Sequence, residues 1–195
     1  APNALEGNEI SKCDSSAAAF QSEEAGLVDV VADEATILGQ IRELVSMLPA
    51  NCEVDDSYVD CTDDLNRACG ELANCVGDTS IALSTIADNN IFFEVKEGYA
   101  KDMVTGFIKL NGITVGCVAN RTEVYNAEGE AEWPGVAVDY TAKTQFIFKI
   151  NKGILSVRDN KKVNESQEEV NKRIPFPHMI YFGDGETDVP CMKIV

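Results

Sequence analysis

Residues 103–119 read "MVTGFIKLNGITVGCVA", from Met103 to Ala119, and their reading decides the fold. Two apolar, β-rich runs flank Asn111-Gly112. Asn-Gly between such runs is a hairpin signal, because both turn positions need φ > 0. The stretch therefore predicts a β-hairpin. Working outward, Phe92-Phe93 and Tyr99 mark buried aromatic positions before it. From Glu34 to Leu48 the apolar residues Ile37, Leu38, Ile41, Leu44, Val45 and Leu48 recur at helical spacing. Asp33 is placed to cap that helix, and Pro49 lies just past its end. A second helix is expected from Thr62 or Asp63 to about Val76, where Gly77-Asp78 breaks it, and a third over Ile81–Ala87. Leu27–Val31 is a strand candidate. Residues 1–26 read as a loop, and 50–64 as an acidic connector.

Composition bounds the function. The chain has 195 residues, 45% of them hydrophobic, enough for a packed core. Its formal net charge is −17, which repels nucleic acid and anionic membranes. No apolar run reaches the length of a membrane span. The start lacks a secretory pattern and an initiating Met, so the sequence is expected to be processed or to begin inside a longer chain. Its seven cysteines, at 13, 52, 61, 69, 75, 117 and 191, contain no C-x-x-C, and His178 is the single histidine. A zinc site is unsupported, and a reduced cytoplasmic protein is expected. Charge is uneven: residues 1–126 carry 22 acidic and 7 basic side chains, and residues 127–195 carry 11 and 9. That asymmetry predicts two regions of different character.

In the second region, Thr141–Ile150 is expected to be a helix capped by Thr141, with Phe146, Ile147 and Ile150 on one face and Gly153 ending it. Residues 125–135 read as a polar turn, and 156–173 as a loop or exposed helix. Pro175 and Pro177 lead into an expected strand, Met179–Phe182. The run "MIYFGDGETD" (179–188) then places Asp184 and Asp188 beyond the strand end, with Gly183 and Gly185 allowing a tight loop. In open α/β sheets ligands sit there, and Mg²⁺ prefers such hard oxygen ligands. The alternative is an acidic surface turn.

"RIPFPHMIYFGDGETDVPCMKIV" (173–195) and "WPGVAVDYTAKTQFIFKINKG" (133–153) resemble the haloacid dehalogenase-like hydrolases. That resemblance implies Mg²⁺ on Asp184 and Asp188. It also implies a lysine beside the transferring phosphoryl group, for which Lys143 fits best and Lys149 and Lys152 less well. The nucleophile of that family lies in an Asp-x-Asp motif, and no Asp-x-Asp occurs in these 195 residues.

"VDVVADEATILGQIRELVSMLPANC" (28–52), "CTDDLNRACGEL" (61–72) and "DNNIFFEVKEGYAKDMVTGFIKLNGITVGCVANRTEVYNAEG" (88–129) resemble the carboxyltransferase component of biotin-dependent acyl-CoA carboxylases and decarboxylases. This resemblance covers about residues 1–131. It implies a crotonase-like fold of two related halves, one holding acyl-CoA and the other carboxybiotin, with a biotin carrier protein and acyl-CoA as partners. The helix at 34–48 would close the first half and the hairpin would open the second. The family's oxyanion holes are built on glycine-rich loops. No G-G-x-x-G occurs here, so no carboxyltransferase site residue carries over.

The two resemblances meet at "VYNAEGEAEWPG" (124–135). The expected fold class is mixed α/β: a partial crotonase-like region over 1–126, then a partial haloacid dehalogenase-like, Rossmannoid region over 127–195. The expected function is a carboxyltransferase-like stretch joined to a hydrolase-like piece, a composite that is inactive as it stands and open to oligomerisation. The other readings are a Mg²⁺-dependent phosphatase and a non-catalytic acidic interaction module centred on loop 53–64.

Overall fold

Asn111 and Gly112 take φ values of +50° and +81°, and the chain reverses between two eight-residue strands at that point. The computed structural model describes residues 15–51, 53, 58–70, 72, 75, 77–121, 138, 140–156 and 159–195. Strand β1 is Phe92–Glu94, β2 is Met103–Leu110 and β3 is Ile113–Asn120. They form an antiparallel sheet in the order β1-β2-β3, with Leu110 opposite Ile113 and Met103 opposite Asn120. The predicted hairpin forms with the predicted turn. The mixed α/β class holds for the chain.

The chain divides into two units, Ala1–Glu132 and Trp133–Val195. In the first, central strand β2 buries every second residue: Val104, Gly106 and Ile108. Helix α1 spans Glu34–Met47, and helix α2 spans Thr79–Ile86. Asp33 caps α1 as expected, its carboxylate accepting from Thr36 N–H at 2.8 Å. Thr114 Oγ1 donates to the carbonyl of Met47 at 2.7 Å, tying the end of α1 to β3. Gly106 permits the β1–β2 pairing, since a Cβ there would lie 2.2 Å from the Phe93 carbonyl oxygen.

Four expectations change in this unit. Leu27–Val31 is not a strand; among the described residues no ladder partner reaches it, and the Leu27 and Val28 amides both bond back to the carbonyl of Gln21. Before it, residues 20–24 make a π-helical turn rather than a loop. The helix expected from 62 or 63 does not form among the described residues. Asp63 and Asp64 take the Asp64 and Asn66 amides into local side-chain turns, which compete with helical bonding. Helix α2 starts at Thr79, two residues before expectation, because Asp78 caps it through the Ser80 amide. The turn at 125–135 and the seam at 124–135 lie outside the described residues.

In the second unit, helix α3 is Tyr140–Lys152, α4 is Asn160–Asn164 and α5 is Val189–Ile194. Gly153, at φ +70°, ends α3 as predicted. The buried residues of α3 are Ile147, Lys149 and Asn151, and Ile150 is exposed. Asn151 Nδ2 donates to the carbonyl of Ile174 at 2.8 Å, and Phe148 meets Phe176 edge-on with centroids 5.5 Å apart. Met179–Phe182 is not a strand. It carries no regular secondary structure and leaves Ile180 and Phe182 exposed, and no second strand among the described residues offers it a ladder. The Rossmannoid sheet expected over 127–195 therefore has no strand among the described residues.

Candidate functional site

The hairpin turn is held from below by a carboxylate. Asp88 sits between α2 and β1 in a three-residue 3₁₀ turn, Asp88–Asn90, and is only 8% exposed. Its Oδ1 accepts from Asn111 N–H at 2.9 Å, and its Oδ2 from Gly112 N–H at 2.7 Å. The two residues after it, Asn89 and Asn90, both take left-handed φ, +54° and +57°. Each is fixed from outside: Asn89 N–H donates to Asp63 Oδ2 at 2.7 Å, and the Asn90 carbonyl accepts from Ser84 Oγ at 2.8 Å. Such consecutive positive φ values at non-glycine residues persist only where the surroundings over-determine them.

Two hollows flank this turn. A cavity of about 140 Å³ is lined by Met47, Val59, Cys61, Asp88, Asn89 and Gly112, among others. An open cleft of about 830 Å³ has Ile81, Phe92 and Phe93 on its apolar side and Arg67, Asn90 and Glu94 among its polar groups. Arg121, at the end of β3, bridges Asp78 at 3.0 Å and Glu94 at 2.9 Å. The Glu94 hydrogen bond, aided by Asp78, raises the guanidinium pKa further. Burial pushes the Asp78 carboxyl up, but the Ser80 hydrogen bonds and Arg121 outweigh it and hold it below its usual range. Burial also pushes the Cys117 thiol up, which keeps it protonated and unreactive. None of Asp88, Asp78 or Arg121 stands out in the sequence as a site residue. The signal available is the Asp-Asn-Asn run between a helix and a strand.

In the second unit the structure brings together two of the three predicted residues. Lys143 Nζ, on the first turns of α3, lies 2.7 Å from Asp188 Oδ1 and 3.1 Å from Thr187 Oγ1. Tyr181 OH donates to the same Oδ1 at 2.6 Å, and Gly185 N–H donates to Oδ2 at 3.2 Å. Asp188 is 5% exposed. The Lys143 ammonium, then the Tyr181 hydroxyl, hold its carboxyl at about 2. Burial, and then the bond to Asp188, push the Tyr181 hydroxyl up. Gly183 makes room for this, since a Cβ there would lie 2.5 Å from Asp188 Cβ. Asp184 is exposed and stands outside this network. Lys149 is buried along α3, and Lys152 donates to the carbonyls of Val163 and Glu165 at the end of α4.

This arrangement does not fit Mg²⁺. Both oxygens of Asp188 are already engaged, one of them by an ammonium. Among the described residues, no group of three or more His, Cys, Asp or Glu side chains could hold a metal ion. The loop closes around Asp188 with Lys143 as its cation.

Comparison with known proteins bears on the whole chain. A family model described as the carboxyl transferase domain matches residues 1–173. The carboxyltransferase subunit of propionyl-CoA carboxylase from Haloferax mediterranei is 33% identical over 126 residues, covering 60% of this chain and 24% of that protein. The methylmalonyl-CoA decarboxylase subunit alpha from Veillonella parvula is 29% identical over 126 residues, covering 60% and 25%. Among solved structures, the transcarboxylase 12S core with methylmalonyl-CoA and methylmalonic acid bound, described as a hexamer assembly, superposes with a TM-score of 0.51 at 28% identity, over 61% of this chain and 25% of that one. The chain thus spans about a quarter of the length of these relatives. The family match also runs past residue 127, where the sequence reading places a change of family. The chain belongs to the carboxyl transferase domain family.

Proposed function

We propose that this chain serves carboxyl transfer between carboxybiotin and an acyl-CoA, as a crotonase-like structural element rather than as a complete active site. The family match over residues 1–173 carries this reading. The hairpin and its Asp88 support add to it, because they fall within the block 88–129 that carries the resemblance. Acyl-CoA and a biotin carrier protein are the partners this implies. Relatives named for propionyl-CoA and methylmalonyl-CoA point to short acyl groups. An oxyanion stabiliser requires N–H donors aimed at the developing enolate oxygen. The Asn111 and Gly112 amides cannot serve, because Asp88 already takes both.

The test has two arms. The purified chain is titrated with propionyl-CoA by calorimetry, and carboxyl transfer from methylmalonyl-CoA to free biotin is followed separately. Background turnover is the expected result. Sustained turnover by the chain alone would overturn the reading as an incomplete site.

The hydrolase-like reading of 127–195, and the join at 124–135 that it requires, rest on the residues 173–195 and 133–153. Lys143 and Asp188 do meet, as an ion pair within a network that also includes Tyr181 and Gly185 and leaves Asp184 outside it. Phosphate release from a model ester with Mg²⁺ is expected at background. Measurable release that disappears in Asp184→Ala would be needed to restore the hydrolase reading. No helix among the described residues is long and apolar enough to cross a membrane, and the −17 charge disfavours nucleic acid.

A further inference from the structure

Asn111-Gly112 is the only place in the chain where glycine follows asparagine. That pair is chemically reactive. The glycine nitrogen can attack the asparagine Cγ and close a five-membered succinimide, and glycine has no side chain to hinder the approach. Asn111 is exposed, so water reaches its carboxamide. The tip of the hairpin therefore carries every group that deamidation needs.

The geometry of the turn opposes the reaction. Ring closure requires Asn111 to rotate about its Cα–C bond until Cγ faces the Gly112 nitrogen. It also requires that nitrogen to give up its proton. Asp88 resists both steps. Its two oxygens accept the N–H groups on either side of Asn111, at 2.9 Å and 2.7 Å, and so hold the torsion between them. A deprotonated Gly112 nitrogen would be a second negative charge against a carboxylate in a site that is 8% exposed. Gly112 is held at its other end as well, where its carbonyl accepts from Val59 N–H at 3.0 Å.

We infer that Asn111 is a deamidation site that Asp88 keeps closed, and that it reacts only when the turn leaves that carboxylate. The inference does not depend on the carboxyl-transfer reading. In the open turn the bond from Gly112 N to Asn111 Cγ forms and the Cγ–Nδ2 bond breaks. The Gly112 proton passes to hydroxide, and the leaving nitrogen takes a proton from water and departs as ammonia. Water then opens the ring. Cleavage at Cγ gives aspartate, and cleavage at the backbone carbonyl gives isoaspartate. Either product adds a negative charge next to the amides that Asp88 holds. Isoaspartate also lengthens the backbone inside a turn whose flanking pair is Leu110 opposite Ile113. A turn that has reacted does not reseat, so the modification marks the molecules that have opened.

The intact chain is incubated in heavy-oxygen water, once in its native state and once unfolded in guanidinium. Chromatography and mass spectrometry of the peptide that contains residue 111 follow the new carboxylate. Native Asn111 is expected to deamidate more slowly than unfolded Asn111, on the order of a hundredfold or more. Exchange of the Gly112 N–H, measured in parallel, reads the opening itself. The slowing of deamidation should be at least as large as that protection. Asp88→Ala is expected to lose most of both. If that variant does not fold, native and unfolded wild type still carry the comparison. Equal rates in those two states would overturn the proposal. So would a slowing smaller than the Gly112 protection, or a folded Asp88→Ala chain that deamidates no faster than the wild type.

Discussion

Replacing Asp88 by Ala removes the acceptors for two backbone amides at once. The two losses are not equal. Asn111 is exposed, so water can take over its N–H, and that loss is about 1 kcal/mol. Gly112 is buried, and its N–H is left without a partner at a cost of about 2–3 kcal/mol. Together they give about 3–4 kcal/mol, a large share of the roughly 5–15 kcal/mol that ordinarily holds a domain together. Asp88→Asn is a sharper probe. A carboxamide keeps one acceptor but sets its NH₂ against the second backbone N–H. Its stability is expected to be close to that of Asp88→Ala, although shape is preserved. Because the chain has two units, global unfolding would blend them. Amide exchange of Val104 and Ile108 in the central strand reads the first unit alone. Their protection should fall by about two orders of magnitude or more in both variants, which is what about 3 kcal/mol implies. Wild-type protection in Asp88→Asn, or a loss below about 1 kcal/mol in Asp88→Ala, would refute the view that the carboxylate anchors the turn.

Gly112→Ala should be at least as damaging as Asp88→Ala, since its Cβ would lie 1.9 Å from the Val59 carbonyl oxygen at a φ of +81°; the same exchange measurement checks it. Gly106→Val should cost about 1–3 kcal/mol and selectively release β1 from β2, seen as lost protection at the amides of β1. Asp188 makes a pH-dependent contribution. Its folded pKa, about 2, lies below the usual carboxylate value of 3.8, so the stabilisation is present above about pH 4 and is lost as pH falls toward 2. Asp188→Asn should therefore destabilise the second unit by about 2 kcal/mol at pH 7 and hardly at all near pH 2; thermal melts at both pH values would show a constant gap if the ion pair with Lys143 were not the cause.

What the sequence reveals is what local chemistry determines. Asn111-Gly112 names its own turn because few residue pairs accept two left-handed φ values. Asp33 and Gly153 mark helix ends for equally local reasons. Leu27–Val31 and Met179–Phe182 look like strands by composition, but a strand exists only where a ladder partner is supplied. Among the described residues no partner reaches either one, and nothing in the neighbouring sequence says so. The expected helix after Thr62 fails on a competition that propensity hides: Asp63 and Asp64 capture nearby amides before a helix can. Of the candidate site, the approach of Lys143 to Asp188 spans 45 positions and is suggested only through a family resemblance.

The loop 183–188 shows why a short acidic motif underdetermines its cation. Two glycines and an Asp create a backbone loop that converges on one carboxylate, whatever neutralises it. A divalent ion needs several oxygen ligands and open positions for water. An ammonium needs one carboxylate and a few acceptors, and it arrives already tethered. Here Lys143 reaches Asp188, while Asp184 stays exposed and outside the network. Asp188 also accepts from Tyr181 and Gly185, so its charge is met by a charge-assisted bond at 2.7 Å in a site that is 5% exposed. The same sequence can thus satisfy the motif and neutralise its carboxylate with a lysine. What separates the two outcomes is the placement of one helix, α3, whose Lys143 lies 45 residues upstream of the carboxylate it neutralises.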